Sequence, residues 1–185
     1  MTALYTIGHG ARDLGTFLSL LEGAGIELLV DVRTAPGSRK HPHFGRDPLE
    51  AALAERGIAY EWRGKEMGGW RRPRPDSRHG AIRSPGFRGY ADHMESEEFR
   101  GALGEVLAAA RRAPTTVMCA ESLWWRCHRR MIADAVVAGG HEVRHIMDGG
   151  RLEPHRLHPA ARIEDGAPVY DRPVEESGQA RLEPG

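Results

Sequence analysis

Ionisable side chains in this sequence repeatedly follow short apolar runs, and these are the residues that could do chemistry. His9 follows the first run, and Asp31 and Arg33 follow the second. Cys119 and Glu121 follow a later one. Histidines and carboxylates can move protons, and a thiolate is a strong nucleophile. Ligands of open parallel sheets bind beyond the carboxyl ends of the strands. If the runs are parallel strands, we predict one catalytic site made of His9, Asp31, Cys119 and Glu121.

Cys119 is the most informative of these residues. It ends an apolar run and precedes a predicted helix, and Arg126 and Arg129 follow closely. A helix N-terminus and nearby positive charges lower the pKa of a thiol and make it nucleophilic. The alternative is that Cys119 is a small apolar side chain of the core, because free cysteine is often buried. Both interpretations stay open from the sequence.

Four arginines are predicted to bind substrate, because guanidinium groups neutralise anions: Arg33, Arg88, Arg126 and Arg129. The whole chain has a net charge of zero, yet residues 33–88 hold thirteen Lys/Arg and six Asp/Glu. This surplus indicates a surface for phosphate, nucleic acid or an acidic metabolite, although a solvated arginine-rich loop is the simpler interpretation. The first hypothesis is therefore an enzyme acting on an anionic, phosphate-bearing substrate, with no cofactor identified.

Aromatic residues are interleaved with these arginines: Trp62, Trp70, Phe87, Trp124 and Trp125. Aromatic rings stack on bases while arginines hold phosphates in nucleic-acid-binding proteins. The alternative is that the rings seal loops onto the core. The second hypothesis is a nucleic-acid or nucleotide binding module without catalysis, in which Arg33, Arg88 and the aromatic loops provide the affinity.

Cysteine and histidine residues also allow a metal site. Cys119, Cys127 and His128, with His9 and Asp31 nearby, offer ligand types that suit zinc. No compact motif such as C-x-x-C is present. Adjacent side chains on a helix point about 100° apart, so Cys127 and His128 at a predicted helix start are not expected to bind one ion. A metal-binding protein is the third hypothesis, and no metal ligands are assigned.

The predicted site depends on five strands, which are short apolar runs. They cover residues 4–7, 28–30, 58–62, 115–118 and 143–147. Helical spacing between them implies right-handed crossovers and a mostly parallel sheet. The predicted fold is α/β, a single-domain, doubly wound, mostly parallel sheet with flanking helices that is distantly rhodanese-like at most.

Capping residues mark the predicted helix starts. Asp13 caps the first helix, Asp47 caps the second with Pro48 and Glu50 behind it, and Ser96 caps a third. The third is expected to begin near residue 90 and to break at Ser96. A further helix is predicted over about 127–138. Residues 63–89 are polar, basic and rich in Gly and Pro, which predicts a long functional or mobile loop.

Length and composition predict one domain over residues 1–170, with a short edge strand near Val169 and a disordered tail over 171–185. No apolar run approaches the roughly 18 residues of a membrane helix. The first residues show no signal-peptide pattern. Two cysteines do not make a disulfide framework, so we expect a cytoplasmic protein with reduced thiols.

Two known classes of enzyme place a cysteine after a parallel strand: rhodanese-like sulfurtransferases and Cys-dependent phosphatases. They follow it with a glycine-containing anion loop. Here residues 120–125 contain no glycine, and these six residues separate Cys119 from Arg126. Glu121 would also repel an anion. This chemistry is kept as an alternative.

Four motifs resemble the signature of the domain of unknown function 488 family. They are Thr6-Ile7-Gly8-His9, residues 29–33 with Pro36 and Ser38, residues 86–92, and residues 118–121 with 125–129. The resemblance covers roughly residues 4–170. It implies a small, single-domain protein of bacterial or archaeal type, and it implies no particular activity. The family pattern usually has Ser or Asn where this chain has Gly10.

Overall fold

The structure is a computed structural model that describes residues 1–37 and 39–174. Ser38, which is part of one family motif, lies outside the described residues. So do residues 175–185, which make up most of the tail that is predicted to be disordered. None of the helices in the described ranges has the length and hydrophobicity that crossing a bilayer requires.

Six strands form the main sheet: β1 (Ala3–Gly8), β2 (Leu28–Asp31), β3 (Ala59–Trp62), β4 (Thr115–Cys119), β5 (Glu142–Ile146) and β6 (Leu152–Pro154). Their order is β3-β2-β4-β1-β5-β6, and only β6 is antiparallel to its neighbour. The predicted mostly parallel α/β sheet is therefore confirmed. Gly8 is paired with Cys119, and Asp31 with Met118, so the central strands end side by side.

Six helices flank the sheet: α1 (Leu14–Gly23), α2 (Arg46–Ala54), α3 (Gly64–Met67), α4 (Pro85–Met94), α5 (Glu97–Ala110) and α6 (Arg129–Ala138). Two separate apolar clusters pack on opposite faces of the sheet. Met118 belongs to the cluster with α1 and α2, and Val117 to the cluster with α4, α5 and α6. Because successive residues of a strand face opposite sides, β4 is covered on both faces. This arrangement explains why every residue of β4 is buried, including the polar Thr115 and Thr116.

Two of the predicted helix caps are confirmed. The Thr16 amide donates to Asp13 Oδ1 at 2.8 Å, and the Phe99 amide donates to Ser96 Oγ at 3.2 Å. These bonds satisfy amide groups that have no partner within the first helical turn.

The other helix starts differ from the predictions. Gly45 is the N-cap of α2, so the prediction that Asp47 caps this helix is wrong. Asp47 lies instead in the first turn, where its charge still favours the helix dipole. The last helix begins at Arg129 rather than at Cys127, whose backbone is extended (φ −126°, ψ 149°).

Residues 63–89 are less irregular than predicted. They contain the short helix α3 and the start of α4, which begins at Pro85 rather than near residue 90. Tyr90 ties the two helices together, because its hydroxyl donates to the Met67 carbonyl at 2.8 Å. The predicted edge strand near Val169 is part of a separate two-stranded sheet, β7 (Ala161–Glu164) and β8 (Ala167–Tyr170).

A buried polar network links α6, β5 and the segment that follows β6. Its centre is Asp134, which is fully buried and accepts hydrogen bonds from His155 Nε2 (2.8 Å), the His158 amide (2.9 Å) and the Tyr170 hydroxyl (2.8 Å). His155 Nδ1 in turn lies 3.0 Å from His145 Nε2. In one consistent arrangement, His145 Nε2 donates to His155 Nδ1 and His155 Nε2 donates to Asp134.

This network supports the loop that follows β4. The indole of Trp124 stacks on the His145 ring, with 4.2 Å between ring centroids and 5° between planes. Trp124 lies between Cys119 and Cys127 in the chain. The network therefore fixes the middle of the segment that carries both thiols.

We expect the protein to lose stability as the pH falls from 6.5 towards 4. Burial lowers the pKa of His145 to about 2 and that of His158 to about 4, against 6.5 for an ordinary histidine. Below pH 6.5 the unfolded chain therefore binds protons that the folded chain does not, and each histidine contributes a loss of about 1.4 kcal/mol per pH unit. Urea unfolding at pH 7, 6 and 5 measures the slope. His145→Gln should make the decrease of stability with falling pH shallower. An unchanged slope would show that the buried His145 ring does not contribute to this decrease.

Candidate functional site

A cavity of about 870 Å³ opens at the carboxyl ends of β1, β2 and β4. Its lining includes side chains of several kinds: His9, Arg33, Lys40, Trp70, Cys119, Glu121, Arg126, Cys127 and His128. Three of the four predicted catalytic residues line the cavity, and Asp31 lies outside the lining. Of the predicted substrate-binding arginines, Arg33 and Arg126 line it.

The strand ends converge because backbone hydrogen bonds continue beyond the strands. The His9 amide donates to the Cys119 carbonyl at 3.0 Å, and the Val32 amide donates to the Met118 carbonyl at 3.0 Å. The loops after β1, β2 and β4 therefore leave the sheet at the same place. This is the geometry that ligand sites of parallel sheets use.

Cys119, Cys127 and His128 form what we call the thiol cluster. Their Sγ and ring nitrogen atoms all lie within 4.8 Å of one another. His128 Nδ1 is 3.8 Å from Cys119 Sγ and 3.7 Å from Cys127 Sγ. The expectation that Cys127 and His128 point apart is wrong, because Cys127 precedes the helix and has an extended backbone. The cluster is the set of described residues that could hold a metal ion.

The two thiols of this cluster differ in acidity. The Cys127 thiol donates to Cys119, which holds the pKa of Cys119 well below its usual range, and His128 and Arg129 add to this effect. Burial raises the pKa of Cys127 well above its usual range, and its role as donor to Cys119 raises it further. Cys119 is therefore the more acidic thiol of the pair.

Arg129 lies beneath the cluster rather than in the cavity lining. Its side chain is 1% exposed, and Nη2 donates to the Ser122 carbonyl at 2.9 Å. Its Nε and Nη1 atoms have no hydrogen-bond partner among the described residues. A buried guanidinium in this position supplies positive charge next to both sulfur atoms. Arg129, which the sequence predicts to bind substrate, therefore lies next to the thiols and outside the cavity lining.

Asp31 and Arg33 form a buried ion pair at 2.6 Å. Asp31 accepts from the Arg33 guanidinium and amide and from the Tyr60 hydroxyl, and it is fully buried. Arg33 Nη1 also donates to the Phe44 carbonyl at 2.7 Å. Because its charge is matched by Asp31, Arg33 shapes the cavity wall more than it attracts an anion.

His9 is a neutral imidazole at the cavity wall. Its Nδ1 donates to the Gly10 carbonyl at 2.9 Å, and its ring stacks on Phe44 with 4.3 Å between centroids. Burial, together with the charge of Arg33, lowers the pKa of His9 to about 4, although the hydrogen bond to Gly10 acts in the opposite direction. Its Nε2 lies 3.4 Å from Arg33 Nη1. The ring can therefore accept a hydrogen bond through Nε2 at neutral pH.

Lys40 and Arg126 are the exposed cations of the cavity lining. Within the part of the chain that the structure describes, neither forms an ion pair. Glu121 is also exposed, and its carboxylate accepts from the Leu123 amide at 3.4 Å. Arg88 lies in α4, outside the lining. The unmatched positive charge of the cavity thus comes from Lys40 and Arg126.

The aromatic residues divide into two groups. Trp62 and Trp124 close loops onto the core, the first by donating its indole N–H to the Arg33 carbonyl at 2.9 Å and the second by stacking on His145. Trp70 differs, because it lines the cavity with 80% of its surface exposed. Phe87 lines the same cavity.

Sequence reasoning missed Lys40 and Gly69 as cavity residues. Gly69 lies against the His128 ring, and a Cβ atom there would be 2.6 Å from His128 Nδ1. The Gly68-Gly69 pair is visible in the sequence, but its spacing carries no information about a histidine in another element. Only the packing of the 63–89 segment against the cluster reveals its role.

Comparison with known proteins gives one finding. A family model described as "Domain of unknown function DUF488" matches residues 13–136, which include the whole thiol cluster. No curated protein and no solved structure matches the chain significantly.

Proposed function

The chain belongs to the DUF488 family, whose description names no activity, and from its site we propose an enzyme that uses Cys119 as a nucleophile on an anionic, phosphate-bearing substrate. One observation carries this proposal. Cys119 lines a large cavity, and its sulfur lies beside a second thiol, an imidazole and a buried guanidinium. Nucleophilic cysteines occupy such electropositive surroundings.

The reaction we propose is a displacement at an electrophilic centre of the substrate. Cys119 Sγ forms a bond to that centre, and the leaving group departs with its bonding electron pair. Water then attacks the same centre and loses a proton, and the sulfur departs with the electron pair of its bond, which restores the thiolate. Several imidazoles line the cavity, among them His9 and His128, and imidazoles can pass such protons.

Lys40 and Arg126 support an anionic substrate. Both cations line the cavity and have no carboxylate partner within the described ranges, whereas Arg33 is matched by Asp31. Their charge raises the local concentration of an anion and orients it towards Cys119. Glu121 opposes this at one edge, so it favours substrates whose negative charge lies away from the loop after β4.

The exposed Trp70 ring favours a substrate that also carries a planar group. Exposed aromatic rings beside cations stack on bases while the cations hold phosphate. A nucleotide has both parts. The same features fit a nucleotide binding module without turnover, and the reactivity of Cys119 distinguishes the two functions.

Paired alkylating reagents test the proposal. The quantity measured is the rate with anionic iodoacetate divided by the rate with neutral iodoacetamide. We expect this ratio to be at least about fivefold higher for Cys119 than for glutathione, because one charge contact is worth about 1 kcal/mol in water. The rates are measured at pH 7 on reduced, chelator-treated protein by peptide mass spectrometry. AMP should slow the reaction more than inorganic phosphate does if a ring stacks on Trp70.

Two variants separate the parts of this prediction. Lys40→Ala with Arg126→Ala should remove the preference for iodoacetate and leave the iodoacetamide rate unchanged. Arg112→Ala is the matched control, because Arg112 is exposed and precedes β4, away from the cavity. A native Cys119 that reacts no faster than in urea would exclude the nucleophile. Fast reaction without the charge preference would exclude the anionic substrate.

A further inference from the structure

The thiol cluster has a property that its role in nucleophilic attack does not require. Two sulfur atoms and one imidazole nitrogen converge from two parts of the chain, the end of β4 and the residues before α6. These are the ligand types that zinc prefers. One known class of catalytic zinc site has this ligand set, with two cysteine sulfurs, one histidine nitrogen and an open fourth position.

The distances within the cluster suit a tetrahedral ion. Zinc–sulfur bonds of about 2.3 Å and zinc–nitrogen bonds of about 2.0–2.1 Å place sulfur and nitrogen about 3.6 Å apart in a tetrahedron. His128 Nδ1 lies 3.8 Å from one sulfur and 3.7 Å from the other. Small side-chain movements would therefore complete the geometry without a change of the backbone.

We propose that Cys119, Cys127 and His128 bind one Zn²⁺ ion, with the fourth coordination position facing the cavity. This inference goes beyond the proposed function, since it depends only on the positions of the three donors. All three residues line the cavity, so an ion between them is reached from it. The bound ion and a free Cys119 nucleophile exclude each other, because one thiolate cannot serve both at once.

Two neighbouring residues support the site. Gly69 keeps space beside the His128 ring, since a Cβ there would lie 2.6 Å from the donor atom Nδ1. Arg129 affects the charge. Two thiolates cancel the charge of a divalent ion, and the buried guanidinium beside them leaves the site positive. The fourth position is therefore suited to an anion such as hydroxide, carboxylate or phosphate.

Cobalt and zinc titrations of reduced, chelator-treated protein test the inference. We expect one Co²⁺ per chain, with the visible bands of tetrahedral cobalt and ultraviolet sulfur-to-cobalt charge transfer, and displacement by Zn²⁺. Cys127→Ser and His128→Gln should each weaken binding by at least about 100-fold, because even the partners of metal ligands are worth about 10–100-fold. Gly69→Ala retains all three donors and should also weaken binding, which covers the case in which a ligand variant does not fold.

His9→Asn is the matched control, because His9 lines the same cavity but is not part of the cluster. Its affinity for Co²⁺ should equal that of the unmodified chain. Two results would overturn the proposed site. One is the absence of stoichiometric binding. The other is binding that shows no charge transfer and persists in Cys127→Ser and His128→Gln. Alkylation of metal-free protein reports separately on the proposed function. Fast alkylation without metal binding rejects the zinc site alone, and metal binding with an inert metal-free Cys119 rejects the nucleophile alone.

Discussion

Replacing Asp134 with alanine is expected to lower the free energy of unfolding by about 3–5 kcal/mol, because removal of one member of a buried charge network leaves the others without partners. The carboxylate accepts three hydrogen bonds and lies beside the buried Arg130. Arg130 is 3% exposed, so water cannot replace the lost charge. Urea unfolding at pH 7 measures the change.

An exposed aspartate provides the comparison. Asp148 is 85% exposed and pairs with Arg12 at 2.6 Å, so Asp148→Ala should cost no more than about 1 kcal/mol. Asp134→Asn keeps the shape of the side chain and one acceptor oxygen. Its loss of unfolding free energy should lie between those of Asp134→Ala and Asp148→Ala. Equal costs for Asp134→Ala and Asp148→Ala would show that the network does not stabilise the fold. The Asp134 variant should also loosen the loop around Trp124, which fluorescence would report.

Replacing Gly8 with alanine is expected to disrupt the site more than any change at its surface. A Cβ at this position would lie 1.8 Å from the Glu121 carbonyl oxygen and 2.5 Å from Arg129 Nη1. The carbonyl belongs to the backbone of the loop that follows Cys119, so that loop must move. We expect a loss of about 1–3 kcal/mol in stability from overpacking. We also expect the iodoacetamide rate of Cys119 to fall at least about tenfold as its charged neighbours separate, equivalent to about 1.4 kcal/mol.

Gly104→Ala controls for the same substitution in open space. Gly104 lies in α5 with nothing within 4 Å of the methyl group that alanine would add, so the change should stabilise the protein by up to about 1 kcal/mol. It should leave Cys119 reactivity unchanged. A Gly8→Ala protein as stable and as reactive as the Gly104→Ala protein would show that the loop after β4 tolerates displacement.

Much of the fold was predictable, because its central strands are short and mostly apolar. The run 28–30 is apolar without alternation, and β2 is covered on both faces, since Leu29 and Val30 belong to opposite apolar clusters. Asp13 and Ser96 were predicted as caps because their side chains can reach amides within their own first turn. Asp47 satisfied the same local rule, yet Gly45 became the cap. The Leu49 amide donates to the Gly45 carbonyl at 3.0 Å, so the helix begins two residues before Asp47.

The candidate site was predictable only in part. The strand ends carrying His9 and Cys119 were expected to meet, and hydrogen bonds between their backbones join them. The sequence does not distinguish a buried arginine from an exposed one, so it gives Arg126 and Arg129 the same expected role, although Arg126 lines the cavity and Arg129 is buried outside the lining. The roles of Cys127 and His128 depend on one extended residue before α6. A difference of two residues in a helix start changed where both side chains point.

The position of β1 in the sheet has a consequence for how the protein is made. β1 is first in the chain, yet Tyr5 is paired with Thr116 and Leu4 with Val143. At translation rates of about 5–20 residues per second, β1 waits roughly 5–20 s for β4 and longer for β5. Until then the unpaired backbone groups and apolar side chains of β1 are accessible to other nascent chains or to chaperones. The thiols of Cys119 and Cys127 therefore emerge from the ribosome before β5, which is the later of the two strands that pair with β1.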